Sequence, residues 1–118
     1  MAAENEVTFG YLKTIPERQA IFDRLQALWK FERFDPPSNN RGGRYFYEHN
    51  GGLENQDVLY VTTDLDEPGR VLLDPNTLAD DGTTALTDVW ISPDGTRLVY
   101  STAEAGSDWN TYRVRDVA

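Results

Sequence analysis

Gly43-Arg44-Tyr45-Phe46-Tyr47 opens a short aromatic run, and Gly95-Thr96-Arg97-Leu98-Val99-Tyr100 repeats its outline further along the 118-residue chain. Each run leads into a loop with a glycine, Gly52 or Gly106, and then into a second run with a tyrosine, Tyr60 or Tyr112. The spacings from Tyr47 to Tyr100, Gly52 to Gly106 and Tyr60 to Tyr112 are close to a period of about 50 residues, within the range of a β-propeller blade. Around these anchors lie β-branched or aromatic segments at 44–49, 58–63, 70–73, 86–91, 97–102 and 109–114. The turn-formers Asn50-Gly51-Gly52, Glu67-Pro68-Gly69, Asp80-Asp81-Gly82 and Ser92-Pro93-Asp94-Gly95 separate them. Strands at such spacing with no helix between them pair antiparallel. With an opening strand near 35–39, the first unit is a four-stranded blade. The second starts strands at Leu86, Arg97 and Trp109 and lacks a fourth. A propeller needs about four blades to close, and a blade cannot bury its faces alone, so the chain is expected to be a piece of something larger.

Before the strands comes one predicted helix. Thr14 and Glu17 have capping-box spacing, and Pro16 falls where a first helical turn tolerates it. Ala20, Ile21, Leu25, Leu28 and Trp29 then recur at intervals suited to one helical face, with Arg18, Asp23, Arg24 and Gln26 on the other. This pattern predicts a core-facing amphipathic helix over 16–29. Pro36-Pro37 closes the segment, because the residue before a proline is pushed out of helical space.

Composition excludes several function classes. Twenty acidic against 11 basic side chains give a net charge of −9, and Lys13 and Lys30 are the only lysines. A surface built to neutralise phosphates needs clustered Lys and Arg, so no nucleic-acid partner is expected. The absence of cysteine removes disulfides, thiolate metal sites and a cysteine nucleophile. The longest apolar run, Val58-Leu59-Tyr60-Val61, is far below the roughly 20 residues of a membrane helix. No signal-peptide core precedes the helix, which predicts a soluble cytoplasmic protein and leaves a periplasmic one open.

Few residues offer chemistry. Gly51-Gly52 reads as a hairpin turn, since no helix and no Lys-Ser/Thr follow it. Asp64, Asp66, Glu67 and the pair Asp80, Asp81 read as solvated turns and match no calcium-binding loop. His49 lies inside a predicted strand and reads as a sheet histidine rather than a general base. Trp29, Trp90 and Trp109 have the bulk to anchor packing between layers, and no cluster of exposed aromatics is visible in the sequence. Neither a metal nor a cofactor is called for.

The stretch Arg41-Gly42-Gly43-Arg44-Tyr45-Phe46-Tyr47, then Gly52-Leu53-Glu54-Asn55-Gln56-Asp57-Val58-Leu59-Tyr60-Val61, then Leu72-Leu73-Asp74-Pro75-Asn76 resembles the start of the propeller in the prolyl oligopeptidase family. Ser92-Pro93-Asp94-Gly95 and Gly106-Ser107-Asp108-Trp109 continue the likeness in order, and the helix to Trp29 resembles that family's N-terminal arm. The resemblance implies a serine endopeptidase that cleaves short peptides after proline. In it an α/β-hydrolase domain carries a Ser-Asp-His triad and a seven-bladed propeller admits only small peptides. It assigns residues 1–34 to the arm of the peptidase domain and 35–118 to about one and three-quarter blades. The partners it implies are the hydrolase domain, the remaining blades and short proline-containing peptides. It places Asp108 on the propeller face toward the catalytic cavity, within reach of a substrate-orienting arginine. On the residues alone, Asp108 reads first as an Asx-type acceptor at the start of the last strand, a role compatible with the other. No Gly-x-Ser-x-Gly elbow surrounds Ser38, Ser92, Ser101 or Ser107, and His49 is the sole histidine. The chain alone is therefore expected to hold no catalytic residue and to be inactive. The other expectation is a freestanding β-rich interaction module of propeller ancestry that recruits partners, or a second copy, through an open blade edge.

Overall fold

Pro36 and Pro37 have no N–H to give to a neighbouring strand, and the first edge of the sheet breaks where they stand. In the computed structural model, which describes residues 2–79, 83–104 and 107–118, two short strands therefore replace the single one expected at 35–39. They are β1 (Arg33–Phe34) and β2 (Ser38–Arg41), and both pair with β3 (Arg44–Asn50). Antiparallel pairing continues from β3 to β4 (Val58–Thr62) and on to β5 (Arg70–Leu73). A second antiparallel sheet runs β6 (Ala85–Ile91), β7 (Arg97–Ala103), β8 (Asn110–Asp116). The predicted turns at Asp80-Asp81-Gly82 and Gly106 lie outside the described residues.

Gly42 and Gly43 make the β2–β3 turn with φ of 59° and 79°, the pair of positive angles that a two-residue hairpin matched to strand twist requires. A side chain at Gly42 would also fall on the Asp94 carbonyl of the β6–β7 turn, so the two hairpin tips meet there through glycine.

The sheets stack face to face. Phe46, Leu59, Val61, Leu72 and Leu73 of the first sheet cluster with Leu98, Tyr100 and Val117, and Leu86, Val89 and Ile91 of β6 pack against the same core. Leu98 and Val117 are fully buried. Full burial of such a side chain is worth about 1.5–3 kcal/mol. Beyond β8, the Val117 N–H donates to the Thr96 carbonyl at 2.9 Å, and Arg70 of β5 donates to the Val117 carbonyl.

The motifs that carry the family resemblance lock loops. Asn50 is buried; its amide donates to the Glu54 carbonyl at 3.2 Å and to Asp57 Oδ1 at 2.8 Å, while its oxygen accepts the Gly52 N–H at 2.7 Å. Asp74 caps the 3-10 turn Pro75–Thr77, and Asn76 exchanges two hydrogen bonds of 2.9 Å with the Gln56 backbone.

Residues up to Phe31 form a separate unit, and the sheet unit begins at Glu32, so Arg33 and Phe34 belong to the sheet by their strand pairing. The helical unit contains α1 (Ala2–Lys13) and α2 (Arg18–Trp29), one helix more than expected. Val7, Phe9 and Tyr11 recur at intervals of two, a spacing that does not mark a helical face, so α1 carries no helical periodicity in its apolar residues. The capping box does not form: Thr14 Oγ1 donates to the Tyr11 carbonyl at 2.7 Å, and α2 starts at Arg18 with no side-chain cap on Glu17. No residue of α2 is buried, contrary to the core-facing expectation. Among the described residues no helix is long and apolar enough to cross a membrane.

Candidate functional site

Strand alternation sorts the aromatic residues of β3 and β4 by face. Phe46, Leu59 and Val61 point into the core between the sheets, so Tyr47, His49 and Tyr60 emerge on the opposite face. Tyr47 sits directly across from Tyr60 in the β3–β4 register, and their rings stack with centroids 5.4 Å apart. Phe34 of β1, paired with His49, stacks on the imidazole at 4.2 Å. His49 contacts Tyr60 edge-on at 5.6 Å, which closes a four-ring patch. The sequence showed no such cluster because the four rings come from three strands. Its signal was the alternation Tyr45, Tyr47, His49 with a second tyrosine across the hairpin.

Two anchors fix these rings. The Gly69 N–H donates to the Tyr47 hydroxyl at 3.1 Å, and His49 Nε2 lies 2.9 Å from Glu32 Oε1. Asp35, Pro37, Leu65, Asp66, Glu67 and Pro68 complete the walls of a recess of about 540 Å³ over the rings.

On the other face of β3, Glu48 borders two clefts between the sheets, of about 410 and 220 Å³. Burial, then the nearby charges of Asp35 and Asp57, push its carboxyl above the ordinary range. At the β6–β7 turn three hydrogen bonds, from the Ser92 hydroxyl and from the Thr96 N–H and hydroxyl, hold the Asp94 carboxyl down at about 2. That turn is a hairpin, as its sequence predicted.

Three of the four serines are engaged in ways that do not resemble a triad. Ser92 bonds Asp94 at 2.6 Å, Ser101 lies buried between Thr87 at 2.6 Å and Asp88 at 2.9 Å, and Ser107 accepts the Trp109 N–H at 3.1 Å. His49 has a carboxylate partner on one nitrogen and a phenyl ring across its face, and the residues around its recess include no serine. Asp108 lies exposed in the bend before β8, where Ser107 rather than Asp108 accepts the Trp109 N–H. The tryptophans do not anchor the layers: Trp29, Trp90 and Trp109 are 70%, 51% and 87% exposed. Trp90 instead stacks on Tyr112 at 6.2 Å. Asp64 turns inward to its own loop, accepting the Asp66 N–H at 3.0 Å. Among the described residues no group of three or more His, Asp or Glu side chains is placed to hold a metal ion.

Two stacked antiparallel sheets suit a pair of neighbouring propeller blades, and a family model described as prolyl oligopeptidase, N-terminal β-propeller domain, matches residues 1–118. The chain belongs to the prolyl oligopeptidase family. The prolyl endopeptidase of Elizabethkingia miricola is 39% identical over 113 residues, covering 96% of this chain and 16% of that protein. A prolyl oligopeptidase of Omphalotus olearius is 35% identical over 114 residues, covering 89% of this chain and 15% of that one. Among solved structures, one from a study of two prolyl endopeptidases and their inter-domain dynamics superposes with a TM-score of 0.90 at 30% identity, over 99% of this chain and 17% of that one. Prolyl oligopeptidase B of Galerina marginata, bound to a 25-residue macrocyclization substrate, gives 0.84 at 29% identity, over 95% and 17%. The chain thus spans about a sixth of the length of these prolyl oligopeptidases. The match to the propeller-domain model runs through the helical unit and the strands alike.

Proposed function

We propose that this chain serves as the non-catalytic N-terminal part of a prolyl oligopeptidase, a serine endopeptidase that cuts short peptides after proline. The observation that carries this reading is the family match over residues 1–118 to a propeller domain, in a chain whose single histidine is paired with Glu32 and stacked on Phe34. Its blades act by admitting substrate according to size, alongside further blades and a hydrolase domain that supplies the triad. Asp108, exposed ahead of β8, is the residue of this chain proposed to face the substrate cavity. The protein is proposed to work in the cytoplasm.

A nucleophilic serine needs a base within hydrogen-bond reach; Ser92, Ser101 and Ser107 engage Asp94, Thr87, Asp88 and the Trp109 N–H instead, and no serine lines the recess that holds the sole histidine. The purified chain should therefore neither hydrolyse a chromogenic Gly-Pro substrate nor be labelled by a serine-directed phosphonate. Turnover that the phosphonate abolishes would overturn the non-catalytic reading.

A further inference from the structure

Asn50 ends β3, and it is the only asparagine of the chain followed by a glycine. An Asn-Gly pair is open to attack by its own backbone, because the Gly51 nitrogen can reach the Asn50 side-chain carbonyl carbon with no Cβ beside it to obstruct the approach. The fold holds this attack off. Asn50 is 1% exposed, its Nδ2 donates to the Glu54 carbonyl and to Asp57 Oδ1, and its Oδ1 accepts the Gly52 N–H. Three hydrogen bonds fix the carboxamide and burial keeps water from it, so ring closure waits for the β3–β4 loop to open. Any further blade or domain that packs on this chain adds to that burial, so the protection belongs to the whole protein as much as to this part of it.

We propose that Asn50-Gly51 is a self-modification site that turns a transient opening of the β3–β4 loop into a permanent change. The Gly51 nitrogen forms a bond to Asn50 Cγ and gives up its proton, while the Cγ–Nδ2 bond breaks and ammonia leaves. Water then opens the five-membered imide at either carbonyl, which leaves aspartate or isoaspartate at position 50. The new carboxylate has no proton to give to the Glu54 carbonyl or to Asp57, and it sets a second negative charge beside Asp57, so the loop cannot close as it did. Isoaspartate also adds a methylene to the main chain where Asn50 pairs with Arg33 of β1. The test incubates the full chain at mildly alkaline pH, in buffer and in urea strong enough to abolish its sheet signal in circular dichroism. Mass spectrometry of peptides spanning position 50 follows the replacement of amide by carboxyl. Conversion at Asn50 should be about tenfold or more slower in buffer than in urea, and in urea it should outpace every other asparagine. Gly51→Ala, whose new Cβ would have the flexible Glu54 carboxylate as its nearest neighbour at 3.0 Å, should slow conversion in urea about fivefold or more. Asn50→Asp, the direct product, should unfold at a lower urea concentration than the parent or fail to fold. Equal rates in buffer and urea, another asparagine reacting faster in urea, an unaffected Gly51→Ala variant, or an Asn50→Asp chain as stable as the parent would each overturn the assignment.

Discussion

Glu48 belongs to β3 and faces the seam between the two sheets, where Phe46 and Leu59 help to exclude water and Asp35 and Asp57 add like charge. Its carboxyl is harder to ionise in the folded chain than in the unfolded one, for which the ordinary value is 4.5. The native state therefore binds the extra proton as pH rises past that value, and stability falls until Glu48 ionises in the folded state as well. Above that point the penalty is fully present. Glu48→Gln removes it, so the variant should melt higher than the parent at neutral pH. The two should converge at about pH 3.5, where both side chains are uncharged. Thermal unfolding of the two proteins at both pH values checks this, and an equal gap at low pH would point to packing rather than charge.

At the level of elements, β7 shows how one strand serves two environments. Leu98 and Tyr100 point into the core, while Val99 lies opposite Val114 on the outer face, where Val114 is 68% exposed. Leu98→Ala should cost about 2–5 kcal/mol, whereas Val114→Ala should stay within about 0.5 kcal/mol. Urea unfolding of both variants decides whether these are the buried and open faces. Most of the strands were legible in the sequence because β-branched and aromatic runs between Gly, Pro and Asn turns leave few alternatives. Predicted segments such as 44–49 and 97–102 differ from β3 and β7 by a single residue at one end. The helices were read less well. Thr14 and Glu17 have the spacing of a capping box, yet Thr14 bonds back to Tyr11, because α1 already occupies the residues before it. Spacing alone does not record what the preceding segment is doing.

For the whole molecule, the fully exposed β8 matters most. Among the described residues it pairs only with β7, and its other row of N–H and C=O groups is open, a template for another strand. Arg113, Arg115 and Asp116 place charge along this strand and should blunt aggregation without abolishing association. Sedimentation of the chain over about a hundredfold range of concentration should show concentration-dependent self-association. A monomer throughout would mean that the edge is covered.

The sequence by itself determined the repeat, the antiparallel strands, their turns and the family, because each rests on local backbone preferences or on motifs such as Asn50-Gly51-Gly52 and Asp74-Pro75-Asn76 whose hydrogen bonds close within a loop or between adjacent ones. It also placed His49 correctly in a sheet. What only the tertiary structure decided was which residues meet across strands distant in the chain. The stacked rings of Phe34, Tyr47, His49 and Tyr60, the acidic rim above them and the burial of Val117 against residues of the first sheet all follow from register and sheet stacking. Those are properties of paired elements, and no window along a single chain contains them.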